Sequence, residues 1–355
     1  MADIYINGIS VVSKHGTELD MYWRNLNIDG SVCSALPYEK KNHNNPEAYF
    51  IDICKEGIEA SARDAAVTLN MPDGCIVVGT GMGLSDMFLY RDNLPYHYLS
   101  QLKDKIASAL GSDIHVILIA NACCAGAQAI AYGFDLLRAG TYQYVIAGGA
   151  EVYSRITHDG FRRLCAVDET GCKPFDKNRK GIAMGEGAAF FVLQPSTASD
   201  AYCRLLGTSV TNDAYHIVAP APEGLQIRRA VLQALEQAGL SKAEIDAVIA
   251  HGTGTPLNDR IEADVLYELF GEIDVTAPKG KIGHTGGAAG AFGLLTAVCC
   301  LKYQQLPYIV NLKVVDDLVK IRPVTYEPKN KKIEHILVNA FAFGGTNTAL
   351  ICGEA

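Results

Sequence analysis

Short apolar runs alternate along the chain with segments whose apolar residues recur at helical spacing. Most of the runs are bounded by turn residues, which is typical of strands. The pattern predicts strands at 4–12, 75–79, 116–120, 144–148, 188–193, 203–210, 247–250, 274–277, 336–340 and 348–352, and helices at 19–25, 51–69, 99–110, 225–238 and 260–270. Because nearly continuous apolar runs indicate strands covered on both faces, we expect an α/β fold with mostly parallel strands.

A break in this pattern falls at residues 194–200, where the sequence QPSTASD is typical of a linker. The elements after the break follow the same order as those before it. We therefore expect two similar halves, an N-terminal half at 1–199 and a C-terminal half at 200–355.

One segment, residues 285–301, is apolar and about long enough to cross a membrane. Its first residues are mostly glycine and alanine, which let helices approach closely, so we expect a central buried helix instead. The N-terminal run follows an early acidic residue, Asp3, and no basic segment, so we interpret it as a first strand and not as a signal peptide.

The composition is typical of a globular protein in a reducing compartment. Hydrophobic residues make up 49% of the 355 residues, and the formal net charge is −8. No basic stripe or zinc-ligand spacing indicates a nucleic-acid partner. The eleven cysteines are scattered and include no CxxC pair, which favours free thiols over a disulfide framework. We expect a cytoplasmic protein.

Residues 115–140, HVILIANACCAGAQAIAYGFDLLRAG, are the most informative part of the first half. A buried strand leads into a tight turn and then into a helix. A cysteine at this turn lies beside the free N–H groups and the positive dipole end of the helix, which lower a thiol pKa from about 8.5. Cys123 is therefore a candidate nucleophile. On this segment alone, the alternative that Cys123 and Cys124 are small buried apolar side chains is equally open.

Glycine-rich junctions in the second half carry two candidate histidines. His251 lies in IAHGTGTPLNDRIEAD at the end of a strand, and His284 lies in KGKIGHTGGAAGAFG. A third junction is NAFAFGGTN, residues 339–347. Because catalytic groups gather at strand carboxyl ends in α/β folds, this set favours a catalytic site over isolated core histidines. The stretch GTGMGL does not complete a dinucleotide fingerprint, because Leu84 stands where glycine is needed.

The motifs NACCAG, DAYH, HGTGTPLND, KGKIGH and FGGTN, in this order, resemble the β-ketoacyl-ACP synthases of the thiolase superfamily, which are decarboxylating condensing enzymes with a Cys-His-His site. The likeness covers nearly the whole chain and includes PFDKNRKGIAMGEGAA at 174–189. It implies a thiolase-like fold, in which two similar halves form five layers, αβαβα, and it implies a dimer.

The resemblance also implies roles for individual residues. Cys123 corresponds to the nucleophile that carries the acyl group. His251 and His284 correspond to the pair that holds the thioester carbonyl of a malonyl donor and favours loss of CO₂. The backbone N–H groups of Cys123 and Phe343 correspond to an oxyanion hole, and Phe341 and Phe343 to apolar residues that gate or line the site.

Polar residues near the histidines correspond to a supporting set. Lys279 and Glu262 match a charged pair that orients the histidines, and Asp259 supports the same loop. Thr253 and Thr255 match hydroxyls that hold the pantetheine arm of the substrate. The alternative for Asp259 and Glu262 is that they merely begin a helix, where carboxylates suit the dipole.

The implied reaction needs a soft nucleophile and hydrogen-bond donors, and we expect no metal or redox cofactor. The implied partners are acyl-ACP and malonyl-ACP, or acyl-CoA. A group of basic residues either meets an acidic carrier protein or forms a solvated face, and the second is the more common situation: Arg162, Arg163, Lys177, Arg179 and Lys180.

The chain also departs from the family pattern. It is shorter around residues 31–50 and 89–112, which in relatives include carrier-docking, dimer-surface and acyl-pocket residues, and Asn121 replaces a threonine. The acyl chain, the mode of carrier docking and the usual homodimer therefore stay open, and a heterodimer with a related subunit is an alternative.

Three functions follow from these patterns. The first is a decarboxylative β-ketoacyl synthase of fatty-acid or polyketide biosynthesis. The second is an acyltransferase of the same fold that uses Cys123 without decarboxylation. The third is a non-catalytic partner subunit of an active synthase. The pair His251 and His284 favours the first, and the presence of the cysteine disfavours the third.

Overall fold

The computed structural model describes residues 3–28, 45–69, 72–82, 84–87, 98–195 and 200–355. The helices are α1 (Leu19–Leu26), α2 (Pro46–Asp64), α3 (Tyr98–Leu110), α4 (Ala125–Arg138), α5 (Arg155–Arg163), α6 (Leu225–Ala238), α7 (Pro256–Phe270), α8 (Lys279–Ile282) and α9 (Ala289–Tyr303). The strands are β1 (Ile4–Val12), β2 (Gly74–Thr80), β3 (His115–Ala120), β4 (Tyr144–Glu151), β5 (Gly187–Gln194), β6 (Cys203–Asn212), β7 (Ala247–Ile249), β8 (Asp274–Thr276), β9 (Gln305–Leu306), β10 (Arg322–Pro323), β11 (Lys329–Asn330), β12 (His335–Phe341) and β13 (Thr346–Gly353).

Eleven of these strands form one sheet in the order β10-β8-β7-β12-β13-β6-β1-β5-β4-β2-β3. In the first part of the chain, β5 pairs antiparallel with β1 and β4, while β2 pairs parallel with β4 and β3. The second part follows the same scheme, because β13 pairs antiparallel with β6 and β12, while β7 pairs parallel with β12 and β8. The two parts meet where β1 pairs antiparallel with β6.

The expectation of mostly parallel strands is wrong, because the pairings in the described sheet are evenly divided between the two directions. The short turn at residues 342–345 joins β12 to β13 and permits only an antiparallel pair. Helices cover both faces of the sheet, so an antiparallel strand such as β5 is apolar and buried along nearly its whole length. An unbroken apolar run therefore does not distinguish the two directions.

Helices and strands lie in five layers: the strands of the first part and those of the second part form two layers, and helices lie outside and between them. α2 and α3 cover one outer face, packed on the strands β1 to β5. α4 and α9 form the central layer and contact strands of both parts of the chain as well as each other. α6 and α7 cover the opposite outer face. The layered α/β architecture expected from the sequence is confirmed.

Two helices differ from the expected pattern because hydrogen bonds at their ends, and not apolar spacing, define them. α2 begins at Pro46, five residues before the expected start at 51, because the Asn45 side chain accepts a hydrogen bond from the backbone of Ala48 at 3.1 Å. The apolar pattern does not predict α5. Ser154 caps it by accepting from the backbone of Thr157 at 3.1 Å, and none of its residues is fully buried.

The apolar segment before and within α9 is a core helix, as expected. Gly286–Tyr303 is the one helical stretch in the described ranges that is long and apolar enough to cross a membrane, and 83% of it is buried inside the fold. Its small residues contact α4, which follows the candidate nucleophile. At Gly290, an added Cβ would lie 2.6 Å from the Cβ of Ala127 and 2.9 Å from its backbone nitrogen.

This contact predicts that Gly290→Ala destabilises the protein, because neither helix can move away without disturbing a buried sheet. We expect the free energy of unfolding to fall by about 1–3 kcal/mol in urea titrations. The matched control is Gly160→Ala in α5, where an added Cβ meets nothing within 4 Å. There the better helix propensity of alanine raises stability by up to about 1 kcal/mol. Equal changes in the two variants would contradict the packing argument.

Candidate active site

Cys123 lies in the 3-10 turn Ala122–Cys124 between β3 and α4, and its side chain is only 8% exposed. Ala122 has a φ of +43°, a left-handed conformation that is strained for a residue with a Cβ. The backbone N–H of Ala122 donates to the carbonyl of Gly81 at 2.9 Å, which holds the turn. The turn thus presents the Cys123 side chain at the end of the sheet.

Cys124 points the other way. Its sulfur is fully buried and donates to the carbonyls of Ala340 at 3.0 Å and Thr346 at 3.2 Å. Cys124 therefore packs between the nucleophile turn and the last two strands, whereas Cys123 lines two cavities.

His251 follows β7 and is held from two sides. The Lys279 ammonium lies 3.3 Å from Nδ1 of His251 and also donates to its carbonyl oxygen at the backbone. The Glu262 carboxylate accepts from the backbone N–H of His251 at 2.8 Å. Because an ammonium can only donate, Nδ1 of His251 accepts and Nε2 carries the ring proton.

His284 has the same tautomer for a different reason. The backbone N–H of Gly286 donates to Nδ1 of His284 at 3.1 Å, so Nε2 carries the proton. The rings of His251 and His284 are perpendicular, with centroids 5.7 Å apart. Burial and the charge of Lys279 lower the pKa of His284 to about 3 and the pKa of His251 well below its ordinary value. At neutral pH the pair consists of neutral N–H donors.

Glu262 and Asp259 do more than begin α7. Glu262 also accepts from the backbone of Gly252 at 2.9 Å and from the side chain of Asn339 at 3.1 Å, and burial raises its pKa to about 7. Asp259 is fully buried and accepts from the backbone N–H groups of Thr253 at 2.9 Å and Phe175 at 2.8 Å. Both carboxylates therefore hold the HGTGT segment, residues 251–255, against the first turns of α7.

The hydroxyls of Thr253 and Thr255 lie 2.9 Å apart, and both side chains line a cavity of about 210 Å³. A second cavity of about 330 Å³ extends past Met82 and Glu151. The two cavities share a set of lining residues where they meet: Cys123, Phe161, Leu164, His284 and Phe343. Phe341 lines the first cavity and contacts the His251 ring, with centroids 5.3 Å apart.

The expected low pKa of Cys123 is wrong. Burial of the sulfur raises its pKa to about 11, against the lowering effects of the Lys279 charge and of hydrogen bonds from the backbone N–H groups of Phe343 and Cys123. The helix N-terminus and one lysine do not compensate for removal of the sulfur from water. The N–H groups of Phe343 and Cys123, which were expected to form an oxyanion hole, both point at the Cys123 sulfur, because both donate hydrogen bonds to it.

Two residues of the site are not predicted from the sequence. Glu151 ends β4 and lines the larger cavity, and burial raises its pKa to about 7. Its position at a strand end is a usable signal, but the apolar run predicts a strand that ends at residue 148. Phe161 lies in the unexpected helix α5, and its ring contacts Phe343 with centroids 5.1 Å apart.

The basic residues at 162–163 and 177–180 that the sequence placed together differ in exposure and in their ion pairs. Arg179 is 8% exposed, donates to Asp316 at 2.5 Å and lies 3.8 Å from Asp259, so it is a structural cation and cannot meet a partner. Lys177 pairs with Asp317 at 2.6 Å at the surface. Arg162, Arg163 and Lys180 are exposed.

Parts of the two shortened regions, residues 31–44 and 89–97, lie outside the described residues. Asn121 donates to Gln128 at 2.7 Å and to the Thr346 hydroxyl at 3.3 Å, so it ties the nucleophile turn to β13. Within the described ranges, no group of three or more His, Cys, Asp or Glu side chains is arranged to bind a metal ion.

Comparison with known proteins agrees with this geometry. The family model for the β-ketoacyl synthase N-terminal domain matches residues 102–199, and the model for its C-terminal domain matches residues 202–313. The 3-oxoacyl-[acyl-carrier-protein] synthase 2 of Mycobacterium tuberculosis (strain ATCC 25618 / H37Rv) is 31% identical over 308 residues, which cover 79% of this chain and 74% of the relative. The chain belongs to the β-ketoacyl synthase family.

Other relatives extend the comparison. The 3-oxoacyl-[acyl-carrier-protein] synthase 2 of Mycobacterium leprae (strain TN) is 30% identical over 78% of this chain and 73% of its own length. The crystal structure of a β-ketoacyl synthase from Burkholderia phymatum STM815 has a TM-score of 0.88 at 23% identity and full coverage of both chains, which confirms the thiolase-like fold. A ketosynthase in complex with its chain length factor from Xenorhabdus doucetiae has a TM-score of 0.84 at 26% identity and covers 100% of this chain and 98% of that chain.

The raised pKa of Cys123 predicts how its reactivity depends on pH. Only the thiolate reacts with iodoacetamide. Because pH 7 to 9 lies below the pKa of Cys123, the rate at which Cys123 is alkylated should rise about tenfold per pH unit over this range, without a plateau. The rate is measured by intact-mass spectrometry on a Cys165→Ser background, which removes an exposed thiol. Cys123→Ala on the same background identifies the signal. A plateau near pH 7 would show a thiolate in the resting protein and contradict the assignment.

Proposed function

We propose that Cys123 carries the acyl group and that His251 and His284 activate the malonyl donor in a decarboxylative β-ketoacyl synthase reaction. The observation that carries this assignment is the convergence of a buried thiol and two neutral Nε2–H donors on the smaller cavity, which Cys123, His251 and His284 all line. Each group suits a different step of the condensation, and the described site offers them together.

In the first step, the Cys123 sulfur attacks the carbonyl carbon of an acyl thioester. The bond from sulfur to carbon forms, the carrier thiolate leaves, and the proton of the Cys123 thiol balances the charge of that leaving thiolate. The backbone N–H groups of Cys123 and Phe343 already face the sulfur, so they are placed to receive the oxyanion that develops beside it.

In the second step, the malonyl thioester loses CO₂, and the electron pair of the broken C–C bond moves onto its carbonyl as an enolate. The Nε2–H groups of His251 and His284 donate to that oxygen. The enolate carbon attacks the acyl group on Cys123, a C–C bond forms and the C–S bond breaks. One proton is taken up to restore the Cys123 thiol.

Neutral histidines suit this second step. A charged imidazolium beside Lys279 would add a second buried positive charge, and the malonyl carboxylate would be attracted to the site and held instead of released as CO₂. Burial, together with the charge of Lys279, lowers the pKa of both histidines and thereby keeps them neutral while they donate.

We propose carrier-bound substrates and an assembly of two chains. The curated relatives are named for the acyl carrier protein, and two similar solved structures are a ketosynthase with its chain length factor and the ishigamide ketosynthase/chain length factor. β3 ends the sheet, and its residues include buried and partly exposed positions. This edge of the described sheet supports pairing with a second chain, either a copy or a related subunit, because an edge strand is a template for another strand.

We also propose the domain division 1–199 and 200–355 and a cytoplasmic location. The repeated pairing scheme of the sheet supports the division, since each part has one strand that pairs antiparallel on both sides, β5 or β13, followed by parallel neighbours. Free thiols at every described cysteine support a reducing compartment.

The non-decarboxylating acyltransferase stays the second candidate because the larger cavity does not itself require a malonyl donor.

The first experiment measures the mass of the protein after exposure to acetyl-ACP and octanoyl-ACP. We expect an acyl adduct on the wild type and none on Cys123→Ala, because Cys123 carries the only described thiol that opens onto both cavities. Cys165→Ser, which changes an exposed thiol, is the control and should acylate normally. An adduct that persists in Cys123→Ala would contradict the assignment of the nucleophile. No adduct even with a partner chain present would favour the non-catalytic subunit.

The second experiment separates condensation from simple acyl transfer. In His251→Ala or His284→Ala, acylation of Cys123 should continue while CO₂ release from malonyl-ACP falls by about 100-fold or more, the usual effect of losing one oxyanion donor. The readouts are the mass adduct and a coupled CO₂ assay on the same preparation. Wild-type protein that acylates but never releases CO₂ would instead identify the non-decarboxylating acyltransferase.

A further inference from the structure

Glu151 is a buried carboxylate that the proposed reaction does not use. It ends β4, is 8% exposed and lines the larger cavity beside Cys123. One of its oxygens, Oε2, accepts two backbone hydrogen bonds, from Gly81 at 2.6 Å and from Gly287 at 2.7 Å. The other oxygen, Oε1, accepts from the Thr80 hydroxyl at 3.3 Å.

The two backbone donors belong to segments that hold different catalytic groups. Gly81 is also the acceptor for the N–H of Ala122, the strained residue directly before Cys123. Gly287 is the neighbour of Gly286, whose own N–H donates to Nδ1 of His284. A single carboxylate oxygen therefore joins the loop under the nucleophile to the turn that sets the tautomer of one histidine.

Steric fit makes this connection tight. Gly286 has a φ of +50°, and an added Cβ there would lie 2.6 Å from Cγ of Glu151. An added Cβ at Gly81 would lie 2.6 Å from Oε2. The backbone approaches the carboxylate closely from both sides, so the positions of Gly81 and Gly286 depend on where Glu151 lies.

We propose that Glu151 is a positioning residue that couples the Cys123 turn to His284 by holding the backbones of Gly81 and Gly287 on one oxygen. This rests on the proposed function, and it adds a residue that acts through the backbone without touching the reacting atoms. When Glu151 is replaced, the Gly286 N–H no longer aligns with Nδ1 of His284, and the ring loses its fixed Nε2–H donor.

The test uses Glu151→Gln, which keeps the size of the side chain. A glutamine either places its amide oxygen at the Oε2 position, where it accepts both backbone N–H groups without the charge of a carboxylate, or places its NH₂ group there and loses both bonds. In either orientation the side chain holds the two backbones more weakly. We expect the kcat for CO₂ release from malonyl-ACP to fall about 10- to 100-fold with an unchanged KM, the usual effect of a small misplacement of a catalytic group. In the free protein, ¹⁵N NMR of labelled histidine should show His284 as a mixture of tautomers instead of Nε2–H alone.

Glu186→Gln is the matched control. Glu186 also accepts from a backbone N–H, that of Tyr153 at 2.9 Å, and lies outside the lining of both cavities, so kcat and the His284 tautomer should not change. Thr80→Val removes only the hydroxyl that holds Oε1. Thr80→Val should lower kcat for CO₂ release and mix the His284 tautomers, as Glu151→Gln does, but by a smaller amount. If Glu151→Gln does not fold, Thr80→Val takes its place in the test.

A Glu151→Gln protein with wild-type kcat overturns the inference, and so does a lost kcat with an unchanged His284 tautomer. The NMR signature needs no substrate, so it remains decisive if the proposed reaction is wrong. Conversely, failure of Cys123→Ala to abolish the acyl adduct refutes the proposed function and leaves the tautomer result standing.

Discussion

The site depends on one packing constraint, which is the lack of side-chain volume where the two central helices begin. An added Cβ at Gly126 would lie 2.8 Å from the carbonyl of Gly287, and an added Cβ at Gly287 would lie 2.1 Å from the backbone nitrogen of Gly81. Backbone therefore lies directly against backbone at this point. The turn that carries Cys123 and the turn that follows His284 come from distant parts of the sequence, and they meet only because glycine occupies these contacts.

Close packing also removes water, and this changes the electrostatics of every group in the site. Burial opposes the charged form of each group, so it raises the pKa of Cys123 and Glu262 and lowers the pKa of His251, His284 and Lys279. The result is a site in which the thiol and both imidazoles are neutral at rest. Preorganised neutral donors in a buried site of low dielectric stabilise a developing negative charge more strongly than donors in water do.

The sequence predicts the order of elements well because most strands are short apolar runs with turn residues on either side. It predicts Cys123, His251 and His284 as a group because each lies in a turn of small residues at the end of a strand, where catalytic side chains gather. It does not predict the direction of β5 and β13, since strands buried on both faces look alike. Nor does it reveal Phe161, because the helix that carries it is short, begins at a Ser154 cap and has no fully buried residue.

The pKa of Cys123 could not be predicted for a related reason. Its local sequence shows a helix start, which lowers a thiol pKa, but the opposing effect is burial by residues far away in the chain. The same feature bears on the chemical durability of the protein. Peroxides attack thiolates and not thiols, so a buried nucleophile that is kept protonated is oxidised slowly. The protein thus keeps its nucleophilic sulfur as a thiol, whereas the Cys165 side chain is exposed to oxidants in the solvent.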